Sequence, residues 1–309
     1  MLAYWAGAAV LGVVSAALYL AAFALPGGVL LASFTQAPLF LAGLTLGLPA
    51  ALAASATSAL VVSGGAGLIG GVAHGIVNAL PVLVLVQRAL LSRQTADGGV
   101  EWYPPGLLVS WLTGLAVLAL GVLLLLLAGA EGGIEGAVKR QIDAMLPMFG
   151  PNQDAMRPLF EIIAPVVPGM VVAAWMTVTI VNGALAQAVA LKTGRSARPA
   201  PDIAATELPR VLAAGLAIMA GLALLGPGAL GVVGANATVV LTVPFLVLGF
   251  AVVHAATKGL RARGLLLGGL YAVTAILTWP VIVIVALGLI EQGFGLKRRF
   301  AAPRPGGVT

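Results

Sequence analysis

The sequence predicts an all-α fold, a polytopic transmembrane helical bundle of eight or nine spans with no sizeable water-soluble domain. Of 309 residues, 61% are hydrophobic and 8% charged, whereas a soluble domain carries roughly 25% charged residues. Apolar stretches of about the 20 residues needed to cross a hydrocarbon core of roughly 30 Å recur from end to end. The run Leu118 to Leu127 is apolar throughout, which selects helices over a closed barrel, whose strands alternate apolar and polar side chains.

Apolar runs broken at charges, Pro and Gly place the elements in order. A first span is expected over about Ala3 to Ala24, before Pro26-Gly27-Gly28. Ala22-Phe23-Ala24 looks like a signal-peptidase site, but no basic segment precedes the apolar run, which is also longer than a signal core. A second span occupies about Val29 to Leu46. Pro49 opens a short Ala-rich third segment to about Val62, broken by Ser63-Gly64-Gly65, and a fourth runs from Gly67 to Val86. The loop Gln87 to Pro105 holds a turn signal, Asp97-Gly98-Gly99, and then Trp102 and Tyr103, an aromatic anchor at headgroup depth.

A fifth span follows over Leu107 to Ala128. In the polar connection from Gly129 to Pro158, Ile134, Val138, Ile142 and Met145 recur at helical spacing opposite Glu135, Lys139, Arg140 and Asp143. This predicts an amphipathic helix on the membrane interface within 134–148. The sixth span covers Ile162 to Leu191, completing a six-span bundle over 1–191. Additional transmembrane helices occupy 192–290: Val211 to Leu225, Val232 to Ala256 and Gly264 to Ile290. A basic tail fills 291–309.

Short loops rich in Lys and Arg face the cytoplasm. Arg88 and Arg93, then Lys192, Arg195, Arg198 and Arg210, then Lys258, Arg261 and Arg263 follow the fourth, sixth and eighth spans, which puts the N-terminus inside and the acidic connection outside. Nine full spans would leave Lys297, Arg298, Arg299 and Arg304 outside. The expectation is that both ends are cytoplasmic and that one segment is not a full crossing. The net charge of +6 belongs to these loops and forms no basic stripe with interleaved aromatics, so nucleic acid is not expected as a partner.

Polar side chains kept at mid-membrane depth are the functional candidates. His74 and Asn78 share one face of the fourth span; Trp175, Thr179 and Asn182 share one face of the sixth. Together they would line a polar cavity with an aromatic wall, as small-molecule sites require. The alternative is interhelical hydrogen bonding, worth about 0.6 kcal/mol on average. Asn236 and Thr242 lie in the eighth span and Gln187 near the end of the sixth, and His254 is expected to cap the last turn of the eighth.

Glycine makes up 41 of 309 residues, about 13% against a usual 7%. Gly67, Gly71 and Gly75, like Gly43 and Gly47 or Gly264 and Gly268, repeat every fourth residue, and Gly12 with Ala16 forms a further small patch. Such faces let backbones approach, within the chain or toward a partner's helix.

No H-E-x-x-H, G-x-S-x-G, P-loop or dinucleotide fingerprint occurs. With no cysteine, no Asp or Glu well inside a span and two distant His, no catalytic residue, metal site or cofactor is expected, and the chain is not expected to be an enzyme.

Several strings resemble the YybS-like family of bacterial multi-pass membrane proteins: Gln36-Ala37-Pro38-Leu39-Phe40-Leu41-Ala42-Gly43, Asp97-Gly98-Gly99-Val100-Glu101-Trp102-Tyr103-Pro104, Ala164-Pro165-Val166-Val167-Pro168-Gly169, and Gly288-Leu289-Ile290 through Arg299. Their order and spacing span almost the whole chain, although Glu291-Gln292-Gly293-Phe294 departs from the family's usual ending. More distantly, the first six spans are similar to substrate-binding subunits of energy-coupling-factor transporters. That similarity implies an outward-facing solute site beneath Ser63 to Ala66 and the Gly129 to Pro158 connection, and a coupling partner against Gly12 and Ala16. The expected protein sits in a bacterial inner membrane, where it binds or helps move a small solute with 134–145 as a lid. The alternative is a scaffold or assembly factor that holds a membrane partner subunit and has no ligand.

Overall fold

The computed structural model describes residues 1–147, 150, 153–277 and 279–301. Fourteen α-helices are described: α1 (Leu2–Ala24), α2 (Gly28–Ala32), α3 (Gln36–Leu46), α4 (Leu48–His74), α5 (Leu80–Ala89), α6 (Pro105–Ala128), α7 (Gly133–Met145), α8 (Gln153–Ile163), α9 (Val167–Lys192), α10 (Arg210–Leu225), α11 (Ala229–Ala256), α12 (Arg263–Ile276), α13 (Trp279–Phe294) and α14 (Lys297–Ala301). Two short strands, β1 (Ser92–Gln94) and β2 (Val100–Trp102), pair antiparallel with Ser92 opposite Trp102, around the expected turn, where Gly98 has φ +82°.

Among the described residues six helical stretches are long and apolar enough to cross a membrane, and a seventh is reached if the bent pair α12 and α13 forms one span. The chain is thus a membrane protein built from transmembrane helices. Length and composition therefore count six or seven spans among the described residues where eight or nine were expected, because two of the expected segments merge and others are short or broken. The expected third and fourth segments lie in one helical stretch, Leu48–Ala89, of 42 residues, which would extend about 63 Å if straight. It is not straight. Gly67 has φ 76° and ψ 167°, a backbone region open essentially to glycine alone, and there the chain doubles back. A Cβ on Gly43 would press on both Ala51 and Val86, so residues 35 apart in sequence flank one glycine.

The contacts divide the chain into two units, Met1–Leu112 with Trp175–Pro201, and Thr113–Ala174 with Asp202–Thr309. In the first unit one end is fixed by five segments. The Tyr4 hydroxyl donates to Leu46 O (3.0 Å), Ala197 N to Leu44 O (2.8 Å) and Tyr103 N to Leu91 O (3.0 Å), and Arg198 Nη1 to Ala89 O (3.2 Å). The starts of α1 and α6 and the ends of α3, α5 and α9 therefore meet. Leu48–Ala89 begins and ends there, with Gly67 at the far side.

Small residues set the helix spacing in this unit. A Cβ on Gly12 would strike Ala54 O and the Thr57 side chain, and Ala16 is fully buried, so the close approach implied for a coupling partner is made to α4 instead. The expected face of Gly67, Gly71 and Gly75 does not form. Gly67 is the reversal, Gly71 packs on Ala59 and Ser63, and Gly75 meets nothing within 4 Å; Gly264 and Gly268 also face open space.

In the second unit part of the apolar face of α7 is covered within the chain. Ile142 and Leu146 pack with Ile134, Met156, Phe160 and Ala164, and Arg157 pairs with Asp143 at 3.0 Å, so α7 and α8 close a small core of their own. The side chains of Val138 and Met145, and residue 148, lie outside the described residues, as does Arg304. Asn236 braces the break before α9: its Nδ2 donates to Pro165 O (2.7 Å) and its Oδ1 accepts from Gly169 N (2.6 Å). His254 turns its Nε2 to the Tyr271 hydroxyl on α12 at 2.9 Å rather than capping its own helix.

The end of the second unit repeats the pattern of the first. Lys258, after α11, lies 3.9 Å from Asp202. Lys297 Nζ, after α13, donates to Thr206 O, and Gln292 Nε2 donates to Leu208 O at 3.3 Å. The ends of α11 and α13 thus converge on the segment 202–208, so the two helices run the same way, crossing where Gly249 meets Ile284 and Gly288 meets Phe245. α12 descends and α13 returns, with a 120° bend between them. Helices of 14 and 16 residues reach about 21 and 24 Å, short of the roughly 30 Å core.

Candidate functional site

The first unit holds a chain of polar side chains inside apolar helices. Span two is broken between α2 and α3, at Ser33–Thr35, which frees backbone carbonyls for side-chain donors. Ser15 Oγ, from α1, donates to Thr35 O at 2.8 Å. Ser58 Oγ donates to Ser15 Oγ at 3.1 Å. His74 Nε2 lies 2.8 Å from Ser58 Oγ and Asn78 Nδ2 lies 3.4 Å from His74 Nδ1. Because the Ser58 proton goes to Ser15, the proton count fits a neutral imidazole protonated at Nε2. Every donor then points one way, from Asn78 through His74, Ser58 and Ser15 to the carbonyl of Thr35.

Ser15, Ser58 and His74 are each 0% exposed. The reversal at Gly67 is what brings Ser58 and His74 together, and the π-helical turn Gly75–Ala79 that follows carries Asn78. The Tyr19 ring stands edge-on to His74 with centroids 4.8 Å apart.

On α9, Asn182 Nδ2 donates to Ser33 O (2.7 Å) and to Val178 O (2.8 Å), so it grips the same break from the other side. Trp175 Nε1 donates to Val77 O in the π turn at 3.0 Å. Thr179 Oγ1 donates to Trp175 O on its own helix at 2.9 Å. The five residues singled out by sequence therefore fall in one unit, joined by direct bonds or through the segment 33–35. They do so as hydrogen-bonded neighbours. An apolar groove of about 260 Å³ in the same unit is lined by Leu11, Leu18, Phe34, Pro38, Leu185 and others, so Phe34 of the break forms part of its wall.

Four side-chain oxygens of this unit are buried with no partner among the described residues: Thr35 Oγ1, Gln36 Oε1, Ser55 Oγ and Asn182 Oδ1. Their residues are 1%, 2%, 5% and 1% exposed. Leaving such groups unsatisfied costs about 1–3 kcal/mol each, a cost that marks a site able to accept hydrogen bonds from something else. Sequence reading missed Ser15, Thr35, Gln36, Ser55 and Ser58, although Thr35-Gln36 is a polar step in an apolar span and Ser55 and Ser58 lie on one helical face.

Among the described residues no group of three or more His, Asp or Glu could hold a metal ion. Comparison with models of known families, with curated proteins and with solved structures finds no match.

Proposed function

We propose that this chain is a bacterial inner-membrane protein that binds a small solute within its first unit and helps move it across the bilayer. The observation that carries the reading is the set of four unpartnered oxygens in the unit that contains the broken helix, three of them, on Thr35, Gln36 and Asn182, at residues that form or grip the break. Discontinuous spans with freed backbone groups are where membrane transporters place their substrates, and two amide oxygens with two hydroxyls suit a solute rich in hydrogen-bond donors or carrying a positive charge. The resemblance to YybS-like proteins, a family of unassigned function, supports only a bacterial multi-pass membrane protein; that of the first six spans to substrate-binding subunits of energy-coupling-factor transporters supports a bound solute.

The same reading includes a topology of eight passes and one re-entrant pair. Leu48–Ala89 supplies two passes, one on each side of Gly67; α10 and α11 are the seventh and eighth; α12 and α13 enter and leave on one face. Both ends are then cytoplasmic, and the basic segments after α5, α9, α11 and α13 all obey the charge rule.

The test is thermal stabilisation of the detergent-purified protein against amines, vitamins, nucleosides and alkali cations. A solute at 100 times its dissociation constant adds about 2.7 kcal/mol. A panel without any shift, together with co-purification of one membrane protein, favours the scaffold instead.

A further inference from the structure

The segment Leu191–Pro199 closes the end of α9 as a shallow cup of about 370 Å³, lined by Leu191, Gly194, Ser196, Ala197, Arg198 and Pro199. Gly194, at φ +67°, turns the chain there, and the Ser196 hydroxyl donates to Arg198 O at 2.6 Å while accepting from Gln187 Nε2 at 2.9 Å. The cup is built, with its wall fixed by a buried amide.

Its chemistry is cationic. Lys192, Arg195 and Arg198 fall within seven residues that contain no acid. Arg198 is 7% exposed; its Nη1 donates to Ala89 O (3.2 Å) and its Nη2 to Tyr103 O (3.4 Å), while Nε is buried without a partner. Arg88, one residue from Ala89, lies over the Trp111 ring at 4.2 Å, its Nε also buried and unpartnered. Trp111 Nε1 in turn donates to the Tyr103 hydroxyl at 3.0 Å. Among the described residues neither guanidinium has a carboxylate within ion-pairing distance, since the nearby Glu101 is paired with Arg93 at 2.7 Å. Burial pushes the Arg198 guanidinium below its ordinary value, yet so strong a base stays charged.

The Arg198 guanidinium, held by two backbone carbonyls, and that of Arg88, laid on the Trp111 ring, both lack a counter-charge among the described residues, which leaves the site short of an anion. A phosphate group supplies the missing negative charge and accepts from the guanidinium N–H groups left unpartnered. Leu191 and Pro199 supply apolar surface in the cup, as a headgroup with attached chains would meet. We propose that Leu191–Pro199 holds a phosphate group, with Arg198 as its buried cation, Arg88 as the second charge and Lys192 and Arg195 on the rim.

The group has two sources, an anionic phospholipid headgroup or a free phosphate, and the experiment separates them. The full chain, purified in nonionic detergent, is titrated with phosphatidylglycerol, phosphatidylcholine or inorganic phosphate; native mass spectrometry reads retained lipid and thermal unfolding reads stabilisation. Phosphatidylglycerol retained at least fivefold over phosphatidylcholine assigns a lipid site, and stabilisation by inorganic phosphate alone assigns a soluble ligand; either supports the proposal. Because Arg198 also braces two carbonyls, three variants are compared. Arg198→Gln and the rim pair Lys192→Gln with Arg195→Gln should lose at least fivefold in retention, and Arg198→Lys should keep most of it. Equal binding of both lipids with no response to phosphate, or full binding by Arg198→Gln and the rim pair, overturns it. Equal loss in Arg198→Lys and Arg198→Gln with full binding by the rim pair makes Arg198 a brace, and overturns it equally.

Discussion

The Ser58 hydroxyl and the His74 imidazole are 2.8 Å apart across sixteen residues of what reads as one apolar helical stretch. A straight helix would hold them about 24 Å apart. The contact depends on the reversal at Gly67, and so does the polar interior of the first unit.

Gly67→Ala should therefore destabilise by about 1–3 kcal/mol, the cost of forcing a side chain into a glycine-only region. A Cβ there meets nothing within 4 Å, so the cost is purely conformational. Gly75→Ala is the matched control: it also meets nothing, but at φ −57°, and should be neutral or stabilising by up to about 1 kcal/mol. Unfolding in mixed detergent reads both, and equal effects would show that the reversal does not need glycine.

Thr35→Val and Ser55→Ala remove unpartnered buried oxygens. Each should raise the stability of the solute-free protein by up to about 1–3 kcal/mol, the penalty relieved, while weakening the solute-induced thermal shift. A loss of stability would mean that these oxygens are satisfied in the membrane.

At the crossing of α11 and α13 the glycines admit backbone rather than side chain. Gly249→Leu and Gly288→Leu should each cost more than about 2 kcal/mol, because the added group meets carbonyls that cannot swing aside. Gly268→Leu faces open space and should change stability by less than about 0.5 kcal/mol. Thermal unfolding of the three variants decides it.

The chain has no cysteine, so single introduced thiols report topology without background. In whole cells Glu131→Cys and Pro227→Cys should react with a membrane-impermeant maleimide. Ala96→Cys, Lys258→Cys and Arg298→Cys should react only after permeabilisation. Labelling of Arg298→Cys in intact cells would make α12 and α13 a full crossing.

Membrane residence and helical class were legible in the sequence because hydrocarbon leaves so few compositions open, and the break at Ser63 to Gly65 foretold the reversal within two residues. Span count was not legible. Hydropathy measures apolar length, and neither the doubling back at Gly67 nor the 120° bend between α12 and α13 changes it. His74, Asn78 and Asn182 stood out because amides and imidazoles are rare in lipid. Ser15, Ser55 and Ser58 did not, since a serine often satisfies itself on its own helix; their importance comes from which helices the reversal brings together. The glycine repeats misled for a related reason, because the same spacing serves a turn, a crossing or nothing at all.

The most direct test of solute binding in the first unit is calorimetric titration of the best stabilising solute into wild type and Asn182→Ala. Saturable one-site binding by wild type, weakened at least tenfold in a folded Asn182→Ala, is the predicted result. Undiminished affinity in that variant would contradict a site at the broken span.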